Sequence, residues 1–185
     1  MGEYKQIVTD HYISNWGDCF EEKVWQKGPL RVLASDFRVM KFKPRSSRQM
    51  WTYATNGMSS FEIAVPIELH IFSSVQDDSI VELLAAVCHY HRTGNPLDLN
   101  HTVNFGRPWQ KNSKSSYGLI SLPYLDGPGL ENLDSEKAGS LHFYWLIPVT
   151  KEEVEFKKQF GIEDLEARFE ERKFNYLAPE RESVV

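Results

Sequence analysis

FEIAVPIELHIF, residues 61–72, is the stretch on which the fold turns. Phe61, Ile63, Val65, Ile67, Leu69 and Ile71 fill every odd position, and a period of two puts all six on one face of a strand. Pro66 falls in the other register and has no N–H to donate. It predicts an edge, a bulge or a break into two strands. So apolar a face needs strand neighbours. Residues 31–37 and 39–42 are rich in β-branched and aromatic residues before Pro44, and 50–55 is a short strand closed by Asn56-Gly57. Further on, 101–105, 117–123 and 141–148 read as three more strands.

Helices stand around this core. Tyr4, Ile7, Val8, Tyr12 and Trp16 give residues 3–16 an amphipathic helical period. Asp18 with Glu21 has capping-box spacing, predicting a second short helix through Trp25 that Gly28-Pro29 ends. Ser79 with Glu82 opens a helix over 79–90, and Gly94 supplies its stop. Thr150 with Glu153 opens another, with Phe156 and Phe160 one turn apart. Gly161 is its C′ residue, and Ile162, Leu165 and Phe169 repeat beyond it. Residues 106–116 and 126–139 read as loops and 174–185 as a frayed tail. Helices at both ends and no regular βαβ alternation give an α+β class, with a mixed, mostly antiparallel twisted sheet flanked by helices. No repeat or linker divides residues 1–185, so one domain is expected, with 1–45 as its helical N-terminal segment and first strands.

The 185 residues are 41% hydrophobic and 25% charged, a soluble globular balance. No run approaches the length of a membrane span, and the N-terminus lacks the basic and apolar regions of a signal peptide. Cys19 and Cys88 lie far apart, which predicts free thiols and a cytoplasmic location. Charge is uneven. Residues 37–61 hold five bases and no acid, and 99–125 hold three bases and no acid. Removing those eight bases from 21 leaves 13 against all 26 acids, so the rest of the chain carries −13. Such a surface disfavours a general nucleic-acid or membrane binder and suits a basic protein partner.

CHYHRTGNPLDLNH, residues 88–101, gathers one cysteine and three histidines. On a helix Ile80, Leu84, Val87, Cys88 and His91 share a face, whereas His89 points about 200° away from His91. Cys88 and His91 could share an ion, but no second close pair completes a zinc site, and no metal or other cofactor is predicted. Cys88 reads as a small buried hydrophobe and His91 as a cationic cap on the helix C-terminus. A hydrolase-like enzyme using Cys88, His91 or His101 is the alternative, although a thiol on an apolar helix face is poorly placed as a nucleophile. LDGPGLEN is turn chemistry rather than a phosphate cradle. A second alternative is nucleic-acid binding through residues 38–53, with Trp51 and Tyr53 as stacking platforms.

WTYATNGMS (51–59), ELHIFS (68–73), the 82–109 segment ending in HTVNFGRPW, LISLPYLDGPGLENL (119–133) and the 143–171 segment containing IPVTKEEVEF resemble bacterial members of the Suppressor of fused family. The resemblance spans about residues 50–173. It implies a non-enzymatic protein-binding domain. The animal members are similar over their N-terminal half and clamp a peptide between two halves. This chain is expected to lack the second half, so the clamp is not carried over. For the bacterial members the resemblance implies an immunity or antitoxin protein that covers a cognate toxin, possibly a nuclease. No catalytic residues transfer. The candidate partner-binding residues are Arg107 and Trp109, of types enriched at interface hot spots, and the acids Asp126, Glu131 and Asp134.

Overall fold

The structure, a computed structural model, describes residues 2–18, 20–27, 37–59, 65–135 and 139–185. In chain order its elements are α1 (Gly2–Trp16), β1 (Phe20–Lys23), β2 (Arg38–Phe42), β3 (Trp51–Asn56), β4 (Ile67–Ser73) and α2 (Ser79–Thr93), followed by β5 (Thr102–Asn104), β6 (Tyr117–Ser121), α3 (Pro128–Glu131), β7 (Asn132–Ser135), β8 (Gly139–Val149), α4 (Lys151–Phe160) and α5 (Ile162–Glu171). The strands form one sheet in the order β1-β2-β3-β4-β8-β6-β5, with β7 also paired to β8. Every pairing is antiparallel except β4 with β8, where Ile67 lies opposite His142 and His70 opposite Trp145. The class is α+β, as the patterning predicts. Among the described residues no helix is long and apolar enough to cross a membrane.

The sheet is covered on both sides, so its central strand is buried on two faces, with Ile67, Leu69 and Ile71 on one and Glu68, His70 and Phe72 on the other. Every residue of β4 is buried. Ile67, Leu69 and Ile71 pack under α2 with Tyr53, Ile80, Leu84, Cys88, Leu146 and Trp109. The opposite face is shared. At one end α1 lays Tyr4, Val8, Tyr12 and Trp16 on Met40, Phe42, Ala54, Leu141 and Phe143. At the other, α4, α5 and the tail cover Phe72, Leu119, Trp145, Ile147 and Val149. Each large side chain of α1 so buried contributes roughly 1.5–3 kcal/mol of transfer free energy. Pro66 immediately precedes β4, and its carbonyl accepts the His142 N–H at 3.1 Å, which carries the parallel pairing one step further. Residues 60–64, the first part of the predicted strand, lie outside the described residues, as do Cys19 and most of the predicted strand at 31–37.

Several expectations change. The Asp18–Glu21 capping box does not form, because residues 20–23 are strand β1. Cross-strand charge outweighs the local signal: Glu21 lies opposite Lys41, and its carboxylate also meets Lys43 at 3.1 Å and Lys23 at 3.2 Å. Phe20 meets the Phe42 ring at 5.4 Å. The helix α2 begins at Ser79, but its first turn is held by Asp77, whose Oδ1 accepts the Ser79 N–H at 2.9 Å, and no Ser79–Glu82 box forms. The Thr150–Glu153 box does form. Residues 126–139 are not simply a loop, since they contain α3 and β7, the latter pairing with the N-terminal half of β8. Residues 174–185 carry no regular element yet are not frayed. Val184 is 9% exposed, and Arg181 reaches the α4 cap.

Candidate functional site

The five candidate residues divide into two kinds. Trp109 is 1% exposed and packs beneath α2, so it is not an interface ring. The 106–116 loop folds back because its polar groups find partners inside: Gln110 Nε2 donates to Ser73 Oγ at 3.0 Å and Asp77 Oδ2 at 3.2 Å. Asp126 also turns inward. Its side chain is 3% exposed, accepts the Trp16 Nε1–H at 2.7 Å and pairs with Arg48. It ties the 124–127 turn to the end of α1 and is unavailable to a partner. Arg107 is half-buried, donating to the Ser79 carbonyl at 2.7 Å and lying 3.8 Å from Glu82. Glu131 and Asp134 remain at the surface.

Beside Glu131 the structure brings together residues that the sequence reading left in the core or on a helix surface. α5 carries five acids and one base, and that base, Arg168, pairs with Glu171 at 2.7 Å. Glu166 and Glu170, one helical turn apart, face the turn that follows β6. Tyr124, 59% exposed on that turn, donates its hydroxyl to Glu166 Oε1 at 3.2 Å. Burial raises its pKa first, and the carboxylates of Glu166, Glu131 and Glu170 raise it further. Between them lies a cavity of about 240 Å³ lined by Ser121, Tyr124, Trp145, Ile147, Phe169 and Phe174, with Glu166 and Glu170 at its rim. Phe174 stacks on Phe169 at 4.4 Å and lies 4.5 Å beneath the Arg181 guanidinium, so this wall is fixed from both sequence neighbours and the tail. The signal for Glu166 and Glu170 was their i,i+4 spacing alongside Leu165 and Phe169; nothing local showed that Tyr124 would meet them.

Two polar clusters lie deeper. Glu68, fully buried on β4, accepts from Tyr4 Oη at 2.9 Å, Thr55 Oγ1 at 2.5 Å and the Gly57 and Met58 amides at 2.9 Å each. Burial raises its pKa, and these donors offset part of that rise. The cluster ties α1 and the 57–59 turn to the central strand. Next in the same register, His70 is fully buried, and burial with the neighbouring Arg48 charge depresses its pKa well below the usual value. Its Nε2 lies 3.7 Å from Asp126 Oδ2, and Arg48 sits 5.0 Å from the Trp16 ring centroid. Both clusters are enclosed by helix α1, which suits scaffold roles.

The Cys88–His101 segment does not converge. Cys88 is fully buried against the sheet, its Sγ 3.7 Å from the Met58 carbonyl oxygen. His91 is 1% exposed, and its Nδ1 accepts the Leu97 N–H at 2.9 Å, which places its proton on Nε2, 3.3 Å from Ser59 Oγ. Burial lowers its pKa, so it is a neutral tether for the 95–97 turn rather than the cationic helix cap expected. His101 is exposed, with its Nδ1 turned to the Asp98 N–H. Among the described residues no three His, Cys, Asp or Glu side chains gather as a metal site. The stacking platforms fare no better. Tyr53 is fully buried, its hydroxyl accepting the Asp77 N–H at 2.7 Å, and Trp51 is packed against the core with Lys41 over its ring. Lysines of this region are met by acids instead: Lys41 reaches Asp78 at 3.2 Å, and Lys43, Lys23 and Lys41 hold the Glu21 pKa down at about 2.

The family model for the Suppressor of fused protein (SUFU) matches residues 26–182. The chain belongs to the Suppressor of fused family. Among solved structures, a SUFU homolog from Neisseria gonorrhoeae FA 1090 is 30% identical, with a TM-score of 0.86 over 100% of this chain and 98% of that one. The Sufu–Fu complex crystal structure is 14% identical, with a TM-score of 0.66 over 99% of this chain and 91% of that one. Drosophila Suppressor of Fused is 13% identical, with a TM-score of 0.65 over 97% of this chain but 50% of the Drosophila chain. The last two share the Suppressor of fused fold. No curated protein sequence matches.

Proposed function

We propose that this Suppressor of fused domain acts by binding rather than by catalysis, and that it is a cytoplasmic immunity protein that neutralises a cognate toxin by covering its active cleft. The observation that carries this reading is the surface formed by α5, Glu131 and Asp134. It joins the net negative charge of α5, five acids to one base, to Tyr124, which is 59% exposed. An exposed aromatic ring beside an excess of negative charge offers both contact area and electrostatic guidance to a basic partner. A nuclease must hold phosphates in a basic cleft, and that cleft is the complement of this surface. The burial of Cys88 and Tyr53 supports the same reading, because it leaves the enzyme and nucleic-acid alternatives without those groups at the surface.

Co-expression with the product of the neighbouring gene tests this. Rescue of growth and co-elution of a stable complex are expected, with Glu131→Lys/Asp134→Lys weakening both. No rescue and no complex would overturn the proposal.

A further inference from the structure

The cavity between α5 and the turn after β6 is shaped for one kind of group. Its depth is apolar, formed by Trp145, Ile147, Phe169 and Phe174. Its mouth is anionic, and among the described residues neither Glu166 nor Glu170 has an ion-pair partner. Among the described residues no lysine or arginine lines it. A small metabolic cation would find few polar groups at depth to orient it, and a purely apolar side chain would leave two carboxylates desolvated at the rim without compensation. A long basic side chain satisfies both zones: methylenes against the aromatic walls and a charged head among carboxylates. Guanidinium suits better than ammonium. It is planar, stacks on aromatic faces and can bridge two carboxylates one helical turn apart. The same chemistry already occurs within the chain, where Arg48 lies over Trp16 and Phe72 at 5.0 and 5.2 Å and Arg181 over Phe174 at 4.5 Å.

We infer that this pocket receives an arginine side chain projecting from the protein partner, with its stem on Trp145 and Phe169 and its head held by Glu166, Glu170 and the Tyr124 ring. This deepens the proposed function and rests on it only for the identity of the partner. Charge complementarity identifies the occupant: two acids without an ion-pair partner among the described residues stand over an aromatic floor, on a helix with five acids and one base.

The test uses the full chain and an acetylated, amidated Gly-Leu-Arg-Leu-Gly peptide, with the isosteric, uncharged citrulline peptide as its control. The Trp145 indole N–H resonance, assigned through Trp145→Phe, reports occupancy. A saturable shift with the arginine peptide is expected, with about tenfold weaker binding for the citrulline peptide and for Glu166→Gln/Glu170→Gln. The double variant changes only surface carboxylates, and an unchanged melting temperature verifies its fold. The inference is overturned by a shift that does not saturate, by equal affinity for the citrulline peptide, or by full binding in the double variant. The two proposals separate cleanly. Arginine binding without rescue from the neighbouring gene product sinks the toxin reading alone. A toxin complex that tolerates Glu166→Gln/Glu170→Gln sinks the pocket alone.

Discussion

Arg181 closes on Glu153 as a two-pronged fork: Nη1 lies 2.6 Å from Oε1 and Nη2 2.7 Å from Oε2, with the carboxylate wholly buried. The same guanidinium donates to the Pro148 carbonyl at 2.9 Å, so the tail, the end of β8 and the cap of α4 meet at one residue. Removing one partner strands a buried charge. Arg181→Ala is expected to cost about 3–5 kcal/mol in urea unfolding. Glu153→Gln with Arg181→Met is expected to cost less than the single change, because no lone charge is left. Equal losses would show that the pairing is not the source of the effect.

Glu68 gathers four donors, and its loss removes the carboxylate that accepts from each of them. Glu68→Ala is expected to destabilise by at least about 2 kcal/mol, since the buried Gly57 and Met58 amides lose their acceptor at about 1–3 kcal/mol each. Glu68→Gln, which keeps one acceptor oxygen, is expected to lose about half as much. Denaturant midpoints at pH 7 distinguish the two.

His70 and Glu68 share a register of β4 and respond to pH in opposite senses. The His70 pKa is depressed on folding, so the unfolded chain binds the extra proton more readily and stability falls as pH drops below about 6.5. His91 contributes in the same direction. The Glu68 pKa is raised on folding, so its contribution is fully present below the unfolded carboxyl value and is lost as pH rises through its folded value. His70→Phe retains a ring beside Trp16 and Phe72 and is expected to flatten the slope below pH 6.5 by the His70 share alone. Thermal melts from pH 4 to 8, set beside the parent chain, measure this. An unchanged slope would remove His70 from the account.

Trp109→Ala is expected to cost about 3–5 kcal/mol, the usual price of truncating a large core aromatic. Calorimetry should show a lower melting temperature with no partner present. A variant of native stability that fails only in binding would return Trp109 to the interface.

Legibility followed sequence range. Period two in 67–71, the shared face of Ile80, Leu84, Val87, Cys88 and His91, and the Thr150–Glu153 box are signals within one element, and each is realised. β1 was misread because its decisive partner, Lys41, lies across a strand pairing that spacing does not encode. Asp126 reads in the sequence as an acid free to meet a partner because Trp16 and Arg48, which enclose it, are distant in sequence. For the same reason the pocket was invisible: Tyr124, Trp145 and Glu166 come from a turn, a strand and a helix. The acid excess was readable from composition, but its concentration around an aromatic floor required the fold.

The parallel seam between β4 and β8 also sets a timetable for biosynthesis. As the chain leaves the ribosome, β4 emerges with one flank already matched by β3, while its other flank waits for residues 74–138 to be made. Throughout that interval a strand with Ile67, Leu69 and Ile71 along one face presents open amide and carbonyl groups to whatever strand arrives first. Nascent-chain capture by a holdase chaperone should therefore peak for lengths ending between β4 and β8 and fall once Val149 has cleared the exit tunnel.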